Sequence, residues 1–143
     1  MKRLASKRYE VLEHTADLAF MAYGKDLKEL FSNAGFALFD VLTDLSRVEE
    51  RTERFLHIHA VDLEQLMVKW LNELLYFHDV EELLFKRFEI EGIEDKELKA
   101  VAYGEEFRPD NHIILTPLKV VTHHRIEVVK EPRRWRTRVI VDL

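Results

Sequence analysis

Cysteine is absent from this chain, and its 143 residues include only four glycines and three prolines. Without thiols there is no disulfide, no thiolate nucleophile and no soft-metal chemistry. So few glycines leave no dinucleotide fingerprint, and Gly24-Lys25 has no glycine-rich run before it to make a phosphate-binding loop. Ser32 and Ser46 lack the glycine-flanked setting of a nucleophile elbow. No apolar run approaches the roughly 18–20 residues of a membrane span. The basic N-terminus, with Lys2, Arg3, Lys7 and Arg8, has no apolar stretch of the kind a secretory signal needs. These absences lead to the expectation of a soluble cytoplasmic protein with no nucleophilic or phosphoryl-transfer site of its own.

What is present is apolar and charged. Hydrophobic residues make up 47%, enough for a real core in one domain spanning 1–143. Charged residues make up 34%, in the manner of the ion-pair-rich surfaces of heat-stable proteins. The net charge of -5 counts against bulk nucleic-acid binding.

Periodicity orders the chain. Tyr9 to Leu12 and Leu18 to Tyr23 alternate like strands on either side of His14-Thr15-Ala16-Asp17. Asp26 followed by Glu29, and Asp62 followed by Gln65, have the spacing of helix N-caps. Helical stripes follow each: Leu27 to Leu42, and Leu63 through Leu75 with Trp70 inside it. Val48 to Val61 has strand character. The spacing predicts an antiparallel pair from Leu83 to Ile93 and Leu98 to Tyr103, with a turn over Glu91 to Lys96. A loop covers Phe107 to His112, one or two strands lie within Ile113 to Val129, and a last strand runs from Trp135 to Val141. The fold class is α+β, with two helices on one face of a mixed or antiparallel sheet.

Two acids stand out. Asp17 sits at a loop-to-strand junction, and Asp142 ends the last strand, one residue before the carboxylate of Leu143. Brought together, these groups would repel without a hard cation such as calcium or magnesium between them. Spacing alone leaves another reading open, in which Asp17 caps its turn and Asp142 is solvated. His14, beside Asp17, suits either an orienting hydrogen bond to it or a bond to a backbone carbonyl. His57 and His59, two apart on a strand, share a face and could chelate zinc. No third ligand lies near them in sequence, and a solvated face is the competing reading. Arg134, Arg136 and Arg138 with Trp135 could form an RNA-binding face, or a solvated polar one.

Several stretches together resemble the archease family: Tyr9 to Asp17, Phe36 to Asp44, Leu71 to Tyr76, Tyr103-Gly104-Glu105, Lys119 to His124, and Trp135 to Leu143. One departure is His123, where the family often has an aromatic. The resemblance implies an accessory protein, not an enzyme. It would promote guanylylation and multiple turnover of an RtcB-type RNA ligase in tRNA splicing and RNA repair, meeting RNA only through that ligase. It further implies a divalent cation held by Asp17, Asp142 and Leu143: calcium first, with magnesium or manganese as alternatives. Lys119 matches a functionally sensitive lysine.

Overall fold

In a computed structural model, which describes residues 7–94 and 96–143, the eight strands form two antiparallel sheets. The first contains β1 (Tyr9–His14), β2 (Asp17–Gly24), β6 (Val120–Val121), β7 (Glu127–Lys130) and β8 (Trp135–Asp142). Its order is β1-β2-β8-β6, with β7 also paired to β8. The second contains β3 (Thr52–His59), β4 (Leu83–Glu94) and β5 (Glu97–Glu106), ordered β3-β5-β4. Antiparallel α+β architecture therefore holds, with the strands divided between two sheets. No described helix is long and apolar enough to cross a membrane.

Both helices begin where the capping residues place them. In α1 (Leu27–Leu42), Asp26 Oδ1 accepts the Glu29 amide at 2.9 Å, and Glu29 Oε1 reaches back to the Lys25 amide at 2.8 Å. In α2 (Leu63–Glu81), Asp62 Oδ1 accepts the Gln65 amide at 2.8 Å. Each cap satisfies amides that have no partner inside the helix. The second helix continues past the apolar stripe to Glu81. It ends at Glu82, which adopts the left-handed conformation at φ 58° so that the chain can turn straight into β4. Trp70, fully buried, donates its indole N–H to the Phe31 carbonyl at 2.9 Å and ties α2 to α1. Helix α1 packs against β2 of one sheet and β4 of the other, so a single apolar cluster joins both sheets.

Two boundaries differ from the periodicity. The strands of the β4–β5 hairpin extend to Glu94 and from Glu97, so Glu91 to Glu94 belong to β4 and not to a turn over Glu91 to Lys96. Ladder pairing overrides the weak alternation there. The stretch from Ile113 to Val129 yields only the short β6 and β7. The start of this stretch is spent on the end of α1: Thr43 Oγ1 donates to the Ile113 carbonyl at 2.6 Å, and the Leu115 amide donates to the Leu42 carbonyl at 2.8 Å.

A buried glutamate secures the loop after β5. Glu105, almost inaccessible, accepts from the Glu49 amide at 2.8 Å, from Arg51 Nε at 3.1 Å and from His112 Nε2 at 3.0 Å. The Arg108 amide donates to His112 Nδ1 at 2.9 Å. The ring is thus held at both nitrogens, between the Arg108 amide and the Glu105 carboxylate. Burial opposes the charge on Glu105, but the Glu49 amide and His112 outweigh it and hold the carboxyl below its ordinary range. A carboxylate with a lowered folded-state pKa stabilises the fold above its unfolded value and loses that contribution as pH falls. Glu105→Ala should cost about 3 kcal/mol in urea unfolding at neutral pH, because it strands buried donors. The difference from the native protein should shrink once pH falls below the ordinary glutamate value of 4.5.

Candidate metal centre

The ladder between β2 and β8 runs without a bulge. Leu18 faces Val141, Phe20 faces Val139 and Ala22 faces Thr137. These residues are all buried, which sets the register, because a one-residue slip would turn the whole apolar set outward. The same register puts Asp17 directly opposite Asp142 at the end of the ladder. Residues so paired have Cα atoms about 4.5–5.5 Å apart and side chains on one face. Asp17 is exposed and Asp142 half-buried.

Two like charges directly across a ladder destabilise it. Among the described residues, the salt bridges engage other acids and neither of these two. The turn before Asp17 is closed by its main chain: the Thr15 amide donates to the Asp17 carbonyl at 3.1 Å. No described hydrogen bond uses its carboxylate as a cap. The donor set is all oxygen and anionic, which suits a hard divalent ion. Leu143 follows directly, half-buried and packed on the core. Lys119 is tied to the same place, its amide donating to the Asp142 carbonyl at 2.9 Å. His14 lies across the β1–β2 hairpin from Leu18, one position from Asp17.

Position 142 is held from both sides. One neighbour is β2, and the other is β6, where Val120 faces Asp142. A two-residue strand needs support on its outer edge, and Asn72 of α2 supplies it. The Asn72 side chain donates Nδ2–H to the Val121 carbonyl at 3.0 Å and accepts the Val121 amide on Oδ1 at 2.8 Å. A carboxamide offers one donor and one acceptor side by side, as a neighbouring strand would. Nothing in the spacing of α2 marks Asn72 for this role, since its partner is 49 residues away.

The other candidates divide. His57 and His59 do share a face, and the pairing of β3 with β5 sets Glu97 beside them, a residue that spacing could not reveal. Two arginines of the basic face are paired with acids. Arg136 pairs with Glu127 and Glu131, each at 2.7 Å, and Arg134 bonds Glu131 at 3.0 Å while lying 3.9 Å over the Tyr23 ring. Trp135 packs on the core.

Asn72→Leu should leave the Val121 amide and carbonyl unpaired and lower stability by about 2 kcal/mol. Hydrogen exchange should speed up at the amides of Lys119, Val121 and Thr122, while those within α1 keep their protection. Unchanged exchange at these three amides would show that Asn72 does not hold β6.

Comparison with known proteins gives the family and the fold. Residues 9–143 match the Archease protein family (MTH1598/TM1083). The chain is 44% identical over 141 residues to protein archease of Methanosarcina acetivorans, covering 96% of this chain and 97% of that one. It is 39% identical over 142 residues to protein archease of Pyrococcus abyssi, covering 96% and 99%. The solution structure of protein 1598 from Methanobacterium thermoautotrophicum superposes with a TM-score of 0.82 at 41% identity, covering 95% of this chain and 99% of that one. A Thermotoga maritima archease, described as a possible chaperone, shares the fold at a TM-score of 0.61 and 20% identity, covering 92% and 94%. With the match running from the first described strand to the last residue, the chain belongs to the archease family.

Proposed function

We propose that this protein is a non-enzymatic accessory factor of an RtcB-type RNA ligase in the cytoplasm, promoting the ligase's guanylylation and its multiple turnover. The observation that carries the reading is the direct pairing of Asp17 with Asp142. In this reading Asp17, Asp142 and the main-chain oxygen of Leu143 hold a divalent cation, calcium first. The ion would neutralise the facing carboxylates and present a positive charge to oxygen ligands of the partner. The protein's own residues supply a fixed anionic seat: the ladder sets the spacing of the carboxylates, and β6 with Asn72 keeps Asp142 in place. Lys119, exposed and anchored by its amide to Asp142, turns toward the ligase. We place the contact near the ligase's own metal and nucleotide pocket. RNA is met through the ligase complex, in keeping with the ion-paired arginines of the C-terminal face. The description of the Thermotoga relative as a possible chaperone fits a protein that acts on another protein.

Calcium at about a hundred times its Kd should raise the Tm of the native chain by roughly 5–10 °C. Asp17→Asn should abolish that rise. In chelator the same variant should be no less stable than the native chain, because it removes a like-charge pair. A variant that still responds fully to calcium would place the ion elsewhere.

Ligation by a cognate ligase at limiting enzyme should pass from about one turnover to many when this protein is added. Asp17→Ala should lose this effect while retaining its fold by circular dichroism. If turnover and guanylylation are the same with and without the native protein, the proposed role is wrong.

A further inference from the structure

The geometry points to a further metal site, of two imidazole nitrogens and one carboxylate oxygen, on the outer face of the β3–β5 pair: His57, His59 and Glu97 holding a borderline first-row ion of the zinc class. His57 and His59 are two apart on β3 and so share a face. Register places His59 directly opposite Glu97 on β5, while His57 lies diagonal to it. Both Nε2 atoms converge on one oxygen, Glu97 Oε2, at 2.5 and 3.1 Å. The two rings are 4.7 Å apart between centroids. One ligand atom from each residue lies within 4.8 Å of the other two.

Metal geometry is close to this arrangement. With bonds of about 2.0–2.1 Å, ligand atoms around a tetrahedral zinc are about 3.3 Å apart. Shifts on the order of an ångström in exposed side chains would admit the ion between the two imidazoles and the carboxylate. The backbone beneath them would not move. Ile58 and Leu98, which alternate with the ligands on the two strands, point the other way and are buried in the core. Strands fixed in this way place the ligands before the ion arrives, which limits the entropy lost on binding.

Three protein ligands leave a fourth position open, the pattern of a site that also takes water or an exogenous donor. Beside it lies a cavity of about 640 Å³ lined by residues including His57, His59, Lys69, Glu73 and His123. Two cations stand near the site, and the charge of Lys99 acts on Glu97. Lys99 faces His57 across the ladder, and Lys69 Nζ is bonded to the His59 carbonyl at 2.8 Å. Neither ammonium makes a salt bridge with Glu97 among the described residues; both bridges to that carboxylate come from the imidazoles.

The experiment is titration of the full chain with zinc by calorimetry and with cobalt(II) by visible absorption. It uses an Asp17→Asn/Asp142→Asn background to remove the carboxylate pair at the end of β8. One zinc per chain should bind, and cobalt should give d–d bands with nitrogen ligation. His57→Ala, His59→Ala and Glu97→Gln are exposed substitutions. Each should weaken zinc binding, with the histidine variants losing more than the roughly 10–100-fold that an orienting neighbour costs. Absence of zinc uptake in this background, or uptake that survives His57→Ala unchanged, would overturn the proposal.

Discussion

The ladder between β2 and β8 is the constraint on which the rest depends. Its register is set by burial: Leu18, Phe20, Val139 and Val141 are fully enclosed. Each large side chain that leaves water is worth about 1.5–3 kcal/mol. Four of them far exceed the cost of setting two aspartates face to face, which is of the order of a cross-strand pair, roughly 0.2–1 kcal/mol. The core therefore imposes the acid pair, and the pair cannot relax by slipping. The facing of Asp17 and Asp142, held by such a margin, is a fixed feature of the fold. A divalent ion seated between the carboxylates, as proposed, would offset the repulsion with the backbone left as it is.

The placement of β8 explains why the last residues are so firmly held. It is an interior strand, with β2 along one edge and β7 and β6 sharing the other. Strand β6 is only two residues long, too short to be stable alone. Asn72 completes it from α2, and α2 is fixed in turn by Trp70 bonded to α1. A chain of contacts thus runs from the molecular core to Asp142. The tyrosine of β1 performs a similar service at the opposite edge: Tyr9 donates to Asp40 Oδ2 at 2.6 Å and fastens the edge strand to α1. Burial, and after it the acceptor Asp40, push that phenol well above its ordinary value, so it stays a donor at any physiological pH.

Local signals in the sequence carried the helices, and most non-local pairings were not legible. Asp26 and Asp62 mark helix starts because a cap acts within three residues. Leu27 to Leu42 is matched at both ends. The meeting of Asp17 with Asp142 was readable only because two unusual ends suggested each other, and the family resemblance pointed the same way. Glu97 was hidden, since it reaches His59 through a register that no spacing encodes. The split into two sheets was hidden for the same reason. Alternation says that a segment is a strand and nothing about which strand it joins. The basic face had two readings, RNA-binding or solvated, and spacing could not show that Glu127 and Glu131 come back across the β7–β8 hairpin to pair with Arg134 and Arg136.

Ligand chemistry separates the two anion-bearing places on the surface. Asp17 and Asp142 offer oxygen alone, which hard ions accept and which gives nitrogen-seeking metals no advantage. With no cysteine, histidine is the chain's remaining strong donor for borderline metals. Two of the other histidines are already engaged: His112 by Glu105 and the Arg108 amide, and His78 by the Leu83 carbonyl at 3.0 Å. His57 and His59 share an acid between them and face solvent, on strands whose opposite side is locked in the core. An ion choosing between these places would be sorted by its own preference for oxygen or nitrogen. Occupancy of one therefore need not interfere with occupancy of the other.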